Sequence, residues 1–295
     1  MDLNAISIAA HSIFPNYIIN RAILVVTSAL IIAVLGAGKI GEAVARGLSE
    51  SDSVSKVIMT KRNISTLENL KHVKKIEISS DNKKAAQKAE IIIVAVKAGD
   101  GKHVLQEVSE QATDKIVISL MAAISIKSIQ NILPHSKIVR AMPNIAATIG
   151  EAITAFSPDQ KMTKEDLEKV HFVFGTFGDS IQVPESLMDA VTALSGSGPA
   201  YIAVMIESMV SAGLKVGMPR DTAFKLATKT LTGTANLLSQ KGMHPAELRD
   251  SVTTPAGTTI AGLYELEKGS FRTSIINAVE AATVAAQKVA QKFED

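Results

Sequence analysis

Gly36, Gly38 and Gly41 form a G-x-G-x-x-G sequence, and each glycine has a mechanical task. The first permits a tight turn, the second lets a pyrophosphate approach the backbone, and the third lets a following helix pack closely on the preceding strand. Glycine turns are common, so the flanking residues decide. Ile31 to Leu35, just before, is an apolar run rich in β-branched residues, the pattern of a strand buried on both faces. After Gly41, the residues Ala43, Val44, Gly47 and Leu48 recur at helical spacing. Backbone N–H groups at the helix start, around Lys39 and Ile40, would meet phosphate oxygens at the positive end of the helix dipole. The chemistry expected here is binding of a nicotinamide dinucleotide.

The next elements bear on which dinucleotide. Lys56 to Thr60 reads as a second strand, at the distance expected of a βαβ unit. An NAD site usually ends this strand in Asp or Glu for the ribose 2′-hydroxyl, whereas an NADP site places cations near the 2′-phosphate. The chain has Thr60-Lys61-Arg62-Asn63, with no acid and two cations. Lys61 and Arg62 therefore favour NADP(H), with NAD(H) left open. Asp81 or Asn82 could cap the alanine-rich helix 83–89. Ile91 to Val96 reads as another buried strand, so the backbone of Ala95, Val96 and Lys97 should line the cofactor crevice at the carboxyl ends of the strands.

Strands at 116–120 and 137–140 continue the alternation, the latter leading into Ala141-Met142-Pro143-Asn144. Short links between alternating strands and helices predict a Rossmann-type, doubly wound, mainly parallel sheet. Extra edge strands are expected at 152–156 and 179–183, around a helix 163–176 that Thr163 caps with Asp166 three residues on.

A chain of 295 residues suggests two domains, and its character changes at Pro184. We expect a Rossmann domain over 31–183 and an all-α dimerisation domain over 184–295. Ile202, Met205, Ile206, Met209 and Val210 form a helical stripe, and Phe224, Ala227, Leu231 and Leu238 form a second, on a helix that Pro219 opens at a first-turn position. Ser274 to Phe293 is apolar around most of its circumference, which requires burial on several sides and suggests an intertwined homodimer. Two stretches contain groups that packing does not demand. Leu194 to Ala200 (LSGSGPA) is too rich in glycine and serine for a helix interior. In Thr253-Thr254-Pro255-Ala256-Gly257-Thr258-Thr259, four threonine hydroxyls meet a fresh helix N-terminus after a helix 245–252. That arrangement binds a carboxylate without a charged side chain.

Composition excludes other classes. Net charge is +2 with scattered cations, which argues against nucleic acid as a partner. The absence of cysteine excludes disulfides and thiolate chemistry, and the six histidines lack metal-site spacing, so no metal is expected. Residues 1–30 read as an extension of unknown role, packing locally or reflecting a start assigned too early. The apolar run Ala22 to Leu35 must share its end with the first strand, and a spanning helix needs about 20 apolar residues, so a membrane role is not expected. A cytoplasmic location follows from that reading.

The threonine-rich stretch resembles the signature of pyrroline-5-carboxylate reductases, running from Leu248-Arg249-Asp250-Ser251 through Thr259 to Gly262-Leu263 and Leu266-Glu267. Asp189 to Tyr201 is similar to a second block of that family, and Arg140 to Asn144 with Gly150-Glu151 to a third. Two departures stand out: Ala98 where the family usually has proline, and Ala256 where it usually has a second glycine. The resemblance implies hydride transfer from NAD(P)H to the C=N carbon of 1-pyrroline-5-carboxylate, giving L-proline, between the cofactor and helices at the interface of a homodimer that can extend to a decamer. It implies that Thr254, Thr258 and Thr259 hold the substrate carboxylate, that Thr259 bonds the ring nitrogen as the catalytic residue, and that Glu185 lies near the substrate amine. Asn82, Asn144 and Ser251 are implied cofactor contacts. The alternatives are a β-hydroxyacid-dehydrogenase-like oxidoreductase and a non-catalytic NADP-binding protein. The first would need a lysine well inside the helix from Ala200, which has Lys215 only near its end. The intact Thr258-Thr259 pair argues against the second.

Overall fold

The computed structural model describes residues 29–294, so the expectations for residues 1–28 lie outside the described residues. The chain divides into two compact units, 29–199 with 279–294, and 200–278.

The first unit is built on eight strands: β1 (Leu30–Leu35), β2 (Val54–Thr60), β3 (Ile76–Ser79), β4 (Ile91–Val94), β5 (Ile116–Ser119), β6 (Lys137–Met142), β7 (Ala152–Pro158) and β8 (Gly178–Gln182). They lie in the order β3-β2-β1-β4-β5-β6-β7-β8, and every neighbouring pair is parallel except β6 and β7. The period of two along each strand sorts the core into two layers. Ile32 and Val34 of β1 join Val57, Met59, Ile91 and Ile93 on one face. Ala33 and Leu35 join Ile58, Ile92 and Val94 on the other. The first face is covered by α1 (Lys39–Glu50), through Val44 and Leu48, and by α5 (Lys164–Gly175), through Val170 and Phe174. The second is covered by α2 (Asn82–Lys88), α3 (Ala98–Glu107) and α4 (Ile126–Ile132). Helices on both faces make this a doubly wound sheet.

Several bounds differ from the sequence expectations. β4 stops at Val94 rather than Val96, because the chain must turn there toward α3. β6 runs on to Met142, where it pairs antiparallel with β7. β3 was not anticipated: it is a short edge strand with only Ile76 and Ile78 as its alternating apolar pair, and no residue of it is fully buried.

After β8 come α6 (Met188–Val191) and a π-helical turn, Thr192–Gly196, where the glycine- and serine-rich stretch interrupts the helix. The division into units falls after Pro199, beyond Pro184, because Arg140 of β6 bonds Glu185 and Asp189 and keeps that segment with the sheet.

The helices α7 (Gly198–Lys215), α8 (Arg220–Lys241), α9 (Pro245–Ser251), α10 (Thr258–Lys268) and α11 (Phe271–Glu294) complete the chain. Gly213 of α7 lies against Ala223 of α8 so closely that an added Cβ would stand 2.6 Å from the alanine methyl group. Pro219 is the cap residue before α8 and not, as expected, within its first turn. Among the described residues no helix is long and apolar enough to cross a membrane.

The expected cap of α5 forms in full. Thr163 Oγ1 accepts from the Asp166 N–H at 3.2 Å, and Asp166 Oδ2 accepts from the Thr163 N–H at 2.9 Å and from Lys137 Nζ at 2.7 Å. Burial alone would raise the Asp166 carboxyl, but the bonds from Lys137 and Thr163 outweigh it and hold it below the ordinary aspartate range. A carboxyl lowered in the folded state stabilises above its unfolded pKa, and that stability is lost as pH falls through the folded value. Asp166→Asn should therefore cost about 2 kcal/mol near neutrality, from the lost cap and the unpaired Lys137. It should also flatten the fall in stability below pH ~4, read from denaturant unfolding at a series of pH values. An unchanged acid slope would sink this account.

Candidate active site

Gly36 closes β1 with φ +103°, a conformation open to glycine. Its N–H donates to the Thr60 carbonyl at 3.2 Å, and a Cβ there would lie 2.7 Å from Val96 Cγ1. Gly41 is pressed as hard: its Cβ would overlap the Gly36 carbonyl oxygen and stand 3.3 Å from Ala95 Cβ. The Ala95 N–H in turn donates to the Leu35 carbonyl at 2.8 Å. The turn and the Ala95–Val96 backbone are thus brought together at the carboxyl ends of β1 and β4, where the strand order reverses. Gly38 is different. Its φ of −81° and ψ of −178° suit any residue, and among the described residues no atom beyond its chain neighbours lies within 4 Å of the place a Cβ would occupy. The fold does not require glycine here, whereas a pyrophosphate against the backbone would. Gly38 also caps α1 with no side-chain bond, which leaves the N–H groups at Lys39 and Ile40 without a side-chain partner there. The residues present fit a dinucleotide.

The end of β2 is uncharged, as expected. Thr60, 1% exposed, donates through Oγ1 to Asn82 Oδ1 at 2.6 Å, and Asn82 Nδ2 donates to Glu107 Oε2 at 2.8 Å. Asp81 rather than Asn82 caps α2. Asn82 therefore braces the ends of β2 and α3, both of its side-chain groups being engaged. Lys61 donates its N–H to the Ser79 carbonyl at 3.2 Å, and the Arg62 guanidinium pairs with Asp100 in the first turn of α3. Lys97 is the cap residue of α3. Asn144 ends the segment after β6 by accepting from the Ala146 N–H at 3.2 Å, and the 3-10 turn it caps packs on α1.

Glu185 is held rather than free. Its Oε1 accepts from the Ile126 N–H at 2.7 Å and lies 3.4 Å from Arg140 Nη1, while Arg140 Nη2 reaches Asp189 Oδ1 at 3.1 Å. Oε2 of Glu185 has no bond to a described residue. Arg140 is 6% exposed, and its Nε is buried with no partner among the described residues. Sequence reasoning gave no role to Arg140, Asp189, Asp100 or Glu107. A signal existed for Arg140, since a cation ending an apolar strand must find acids on folding.

In the helical unit, Gly257 caps α10 with no side-chain bond, and Thr258 and Thr259 are its first two residues. The hydroxyls of Thr254, Thr258 and Thr259 bond no described residue, whereas Thr253 Oγ1 is tied to the Arg249 carbonyl at a distance of 2.6 Å. Ser251 donates to the Leu248 carbonyl at 2.8 Å. Both family departures have a physical reading. Ala98 is the first residue of α3, a position where proline's fixed φ and missing N–H are tolerated, so alanine loses only preorganisation. Ala256 has φ +56°, in the left-handed region that glycine occupies freely.

A glycine-turn Rossmann unit followed by an all-helical unit with an uncapped, hydroxyl-rich helix start defines a dinucleotide-dependent oxidoreductase. A pyrroline-5-carboxylate reductase from Synechocystis is 39% identical over 263 residues, covering 88% of this chain and 98% of the relative. One from Methanosarcina acetivorans is 39% identical over 270 residues with the same coverage. The chain belongs to the pyrroline-5-carboxylate reductase family. Residues 185–289 match the family model for pyrroline-5-carboxylate reductase dimerisation, and residues 31–123 match that for coenzyme F420-dependent NADP oxidoreductases. The Plasmodium falciparum pyrroline carboxylate reductase, solved with NADP bound, superposes with a TM-score of 0.80 at 28% identity, over 88% of this chain and 98% of that one. The Coxiella burnetii reductase gives 0.83 at 28%, over 89% and 99%.

A left-handed alanine costs about 1–2 kcal/mol relative to its normal regions, partly offset by glycine's greater unfolded-state freedom. Ala256→Gly should therefore stabilise the protein by roughly 0.5–1 kcal/mol, raising Tm by about 1–3 °C at fixed protein concentration. A lowered Tm would contradict the strained conformation.

Proposed function

We propose that the protein reduces 1-pyrroline-5-carboxylate to L-proline with NADPH as the preferred donor, acting as a homodimer in the cytoplasm. The observation that carries the substrate reading is the start of α10, where N–H groups without a side-chain cap follow directly on the turn that holds Thr254, and the hydroxyls of Thr254, Thr258 and Thr259 bond no described residue. Dipoles and hydroxyls of this kind hold a carboxylate. In this reading Thr259 also bonds the ring nitrogen, and Glu185 offers its unbonded Oε2 to the substrate amine. A protonated cyclic imine is already an electrophile, so the chain's task is to bind and orient the ring. The bound nicotinamide supplies the hydride.

For the cofactor half, Gly36, Gly38 and Gly41, with Lys39 and Ile40, would cradle the pyrophosphate, and Ala95, Val96 and Lys97 would line the crevice beside them. Asn82, Asn144 and Ser251 would complete the contacts, Asn82 by positioning the end of β2. NADP(H) over NAD(H) is supported by Lys61 and Arg62 after an uncharged Thr60, and by the NADP in the Plasmodium falciparum relative. The dimer is supported by large apolar side chains left exposed on one chain, among them Phe224 at 56%, Ile276 at 64% and Tyr264 at 70%.

Initial rates with 1-pyrroline-5-carboxylate test the enzyme reading. We expect faster oxidation of NADPH than of NADH, and a fall of about 10- to 100-fold in kcat/KM for Thr259→Ala, the range for a lost hydrogen bond to a charged group. Faster NADH oxidation would overturn only the Lys61 and Arg62 argument; no turnover in protein that binds NADPH would overturn the reductase. Light scattering should give at least twice the chain mass of 31.2 kDa, or the decameric multiple. A monomer in active protein would overturn the dimer.

A further inference from the structure

Arg62 follows β2 and Asp100 is the third residue of α3, which follows β4. In the sheet, β2 and β4 flank β1 on either side. The Arg62–Asp100 pair therefore links the segments that leave the sheet on either side of β1, the strand that leads into the glycine turn. Arg62 is also the guanidinium that would receive a 2′-phosphate, and its side chain is 79% exposed while that of Asp100 is 45% exposed.

From this geometry we infer that Asp100 limits the preference for NADP(H) by competing with the 2′-phosphate for Arg62, an inference that rests on the NADP(H) reading. The competition has two parts. NADPH must displace the Asp100 carboxylate from the guanidinium, and the displaced carboxylate then faces a phosphate of like charge. NADH lacks the 2′-phosphate and meets neither cost. The helix dipole favours an acid in the first turn, which holds Asp100 in place at the start of α3. An exposed pair is weak enough to open on binding, so Asp100 tempers the preference without blocking NADPH. A residue on α3 thereby acts on a discrimination usually assigned to the end of β2.

The test compares the full-length enzyme with Asp100→Asn, Arg62→Ala and the double variant, using KM for NADPH and NADH and competitive inhibition by adenosine 2′-monophosphate. Asp100→Asn should lower the NADPH KM and the inhibition constant about fivefold, the scale of an exposed ion pair, with the NADH KM kept within about twofold. In the Arg62→Ala background the same substitution should have a clearly smaller effect on both, since only the like-charge repulsion remains to be relieved. Equal shifts for NADPH and NADH, or a shift undiminished without Arg62, would overturn the competition. If Arg62→Ala lowers the NADPH preference while Asp100→Asn leaves it unchanged, this inference fails and the cofactor reading stands. If Arg62→Ala leaves the preference unchanged, both fail.

Discussion

The Gly36 carbonyl oxygen and the Gly41 Cα stand so close that a single methyl group cannot fit between them. That approach places α1 directly on the end of β1, and it works only because Gly36 takes a positive φ and Ala95 presents a small side chain from the neighbouring strand's exit. Three chain segments are therefore locked at one point: the end of β1, the start of α1 and the residues after β4. Once they are locked, the first N–H groups of α1 lie at the carboxyl end of the sheet beside a glycine, Gly38, that no contact with a described residue explains. The geometry of the dinucleotide half follows from this contact, and the strand order puts it at the reversal point where ligands enter such sheets.

Around that fixed point, charge is handled by pairing. The buried Arg140 draws Glu185 and Asp189 onto the end of β6, and Glu185 in turn receives the first N–H of α4. A buried guanidinium without acids would be strongly destabilising, so the segment after β8 has little freedom to leave the sheet. Thr60 gives the end of β2 a neutral residue, tied through Asn82 to Glu107. The acid of an NAD site is thus missing from the strand end, and the nearest carboxylates on α3 are already engaged: Glu107 by Asn82, and Asp100 by Arg62.

What was legible in the sequence is what local rules govern. The β-branched run before Gly36 and the helical spacing after Gly41 each carry their own period. The Thr163 and Asp166 cap lies within one turn, and the threonines at 253–259 announce a helix start by type and spacing. Tertiary effects were not legible. β3 has two apolar residues and one paired edge, so its strand character comes from β2 beside it. Both Asp81 and Asn82 can cap α2 by type; Thr60 of β2 settles it by donating to Asn82 Oδ1, which leaves Asp81 to accept from the Lys84 N–H. The partners of Arg62 and Arg140 are 38 and 45 to 49 residues away in sequence, beyond any periodicity.

The threonine-rich start of α10 has a chemical logic of its own in the proposed reaction. The substrate carries a carboxylate, and its reactive form carries a positive charge on the ring nitrogen. A lysine or arginine placed for the carboxylate would also repel that nitrogen a few bonds away, and would stabilise the uncharged imine that accepts hydride poorly. N–H dipoles and hydroxyls avoid the conflict: they bind the carboxylate through short-range bonds, and their field falls off within the first turn. A hydroxyl can also accept from the protonated nitrogen, which an ammonium cannot. The absence of a charged side chain at 253–259 is then itself a requirement of the site. It is met by a helix start whose cap residue, Gly257, has no side chain to take up the N–H groups the substrate would use.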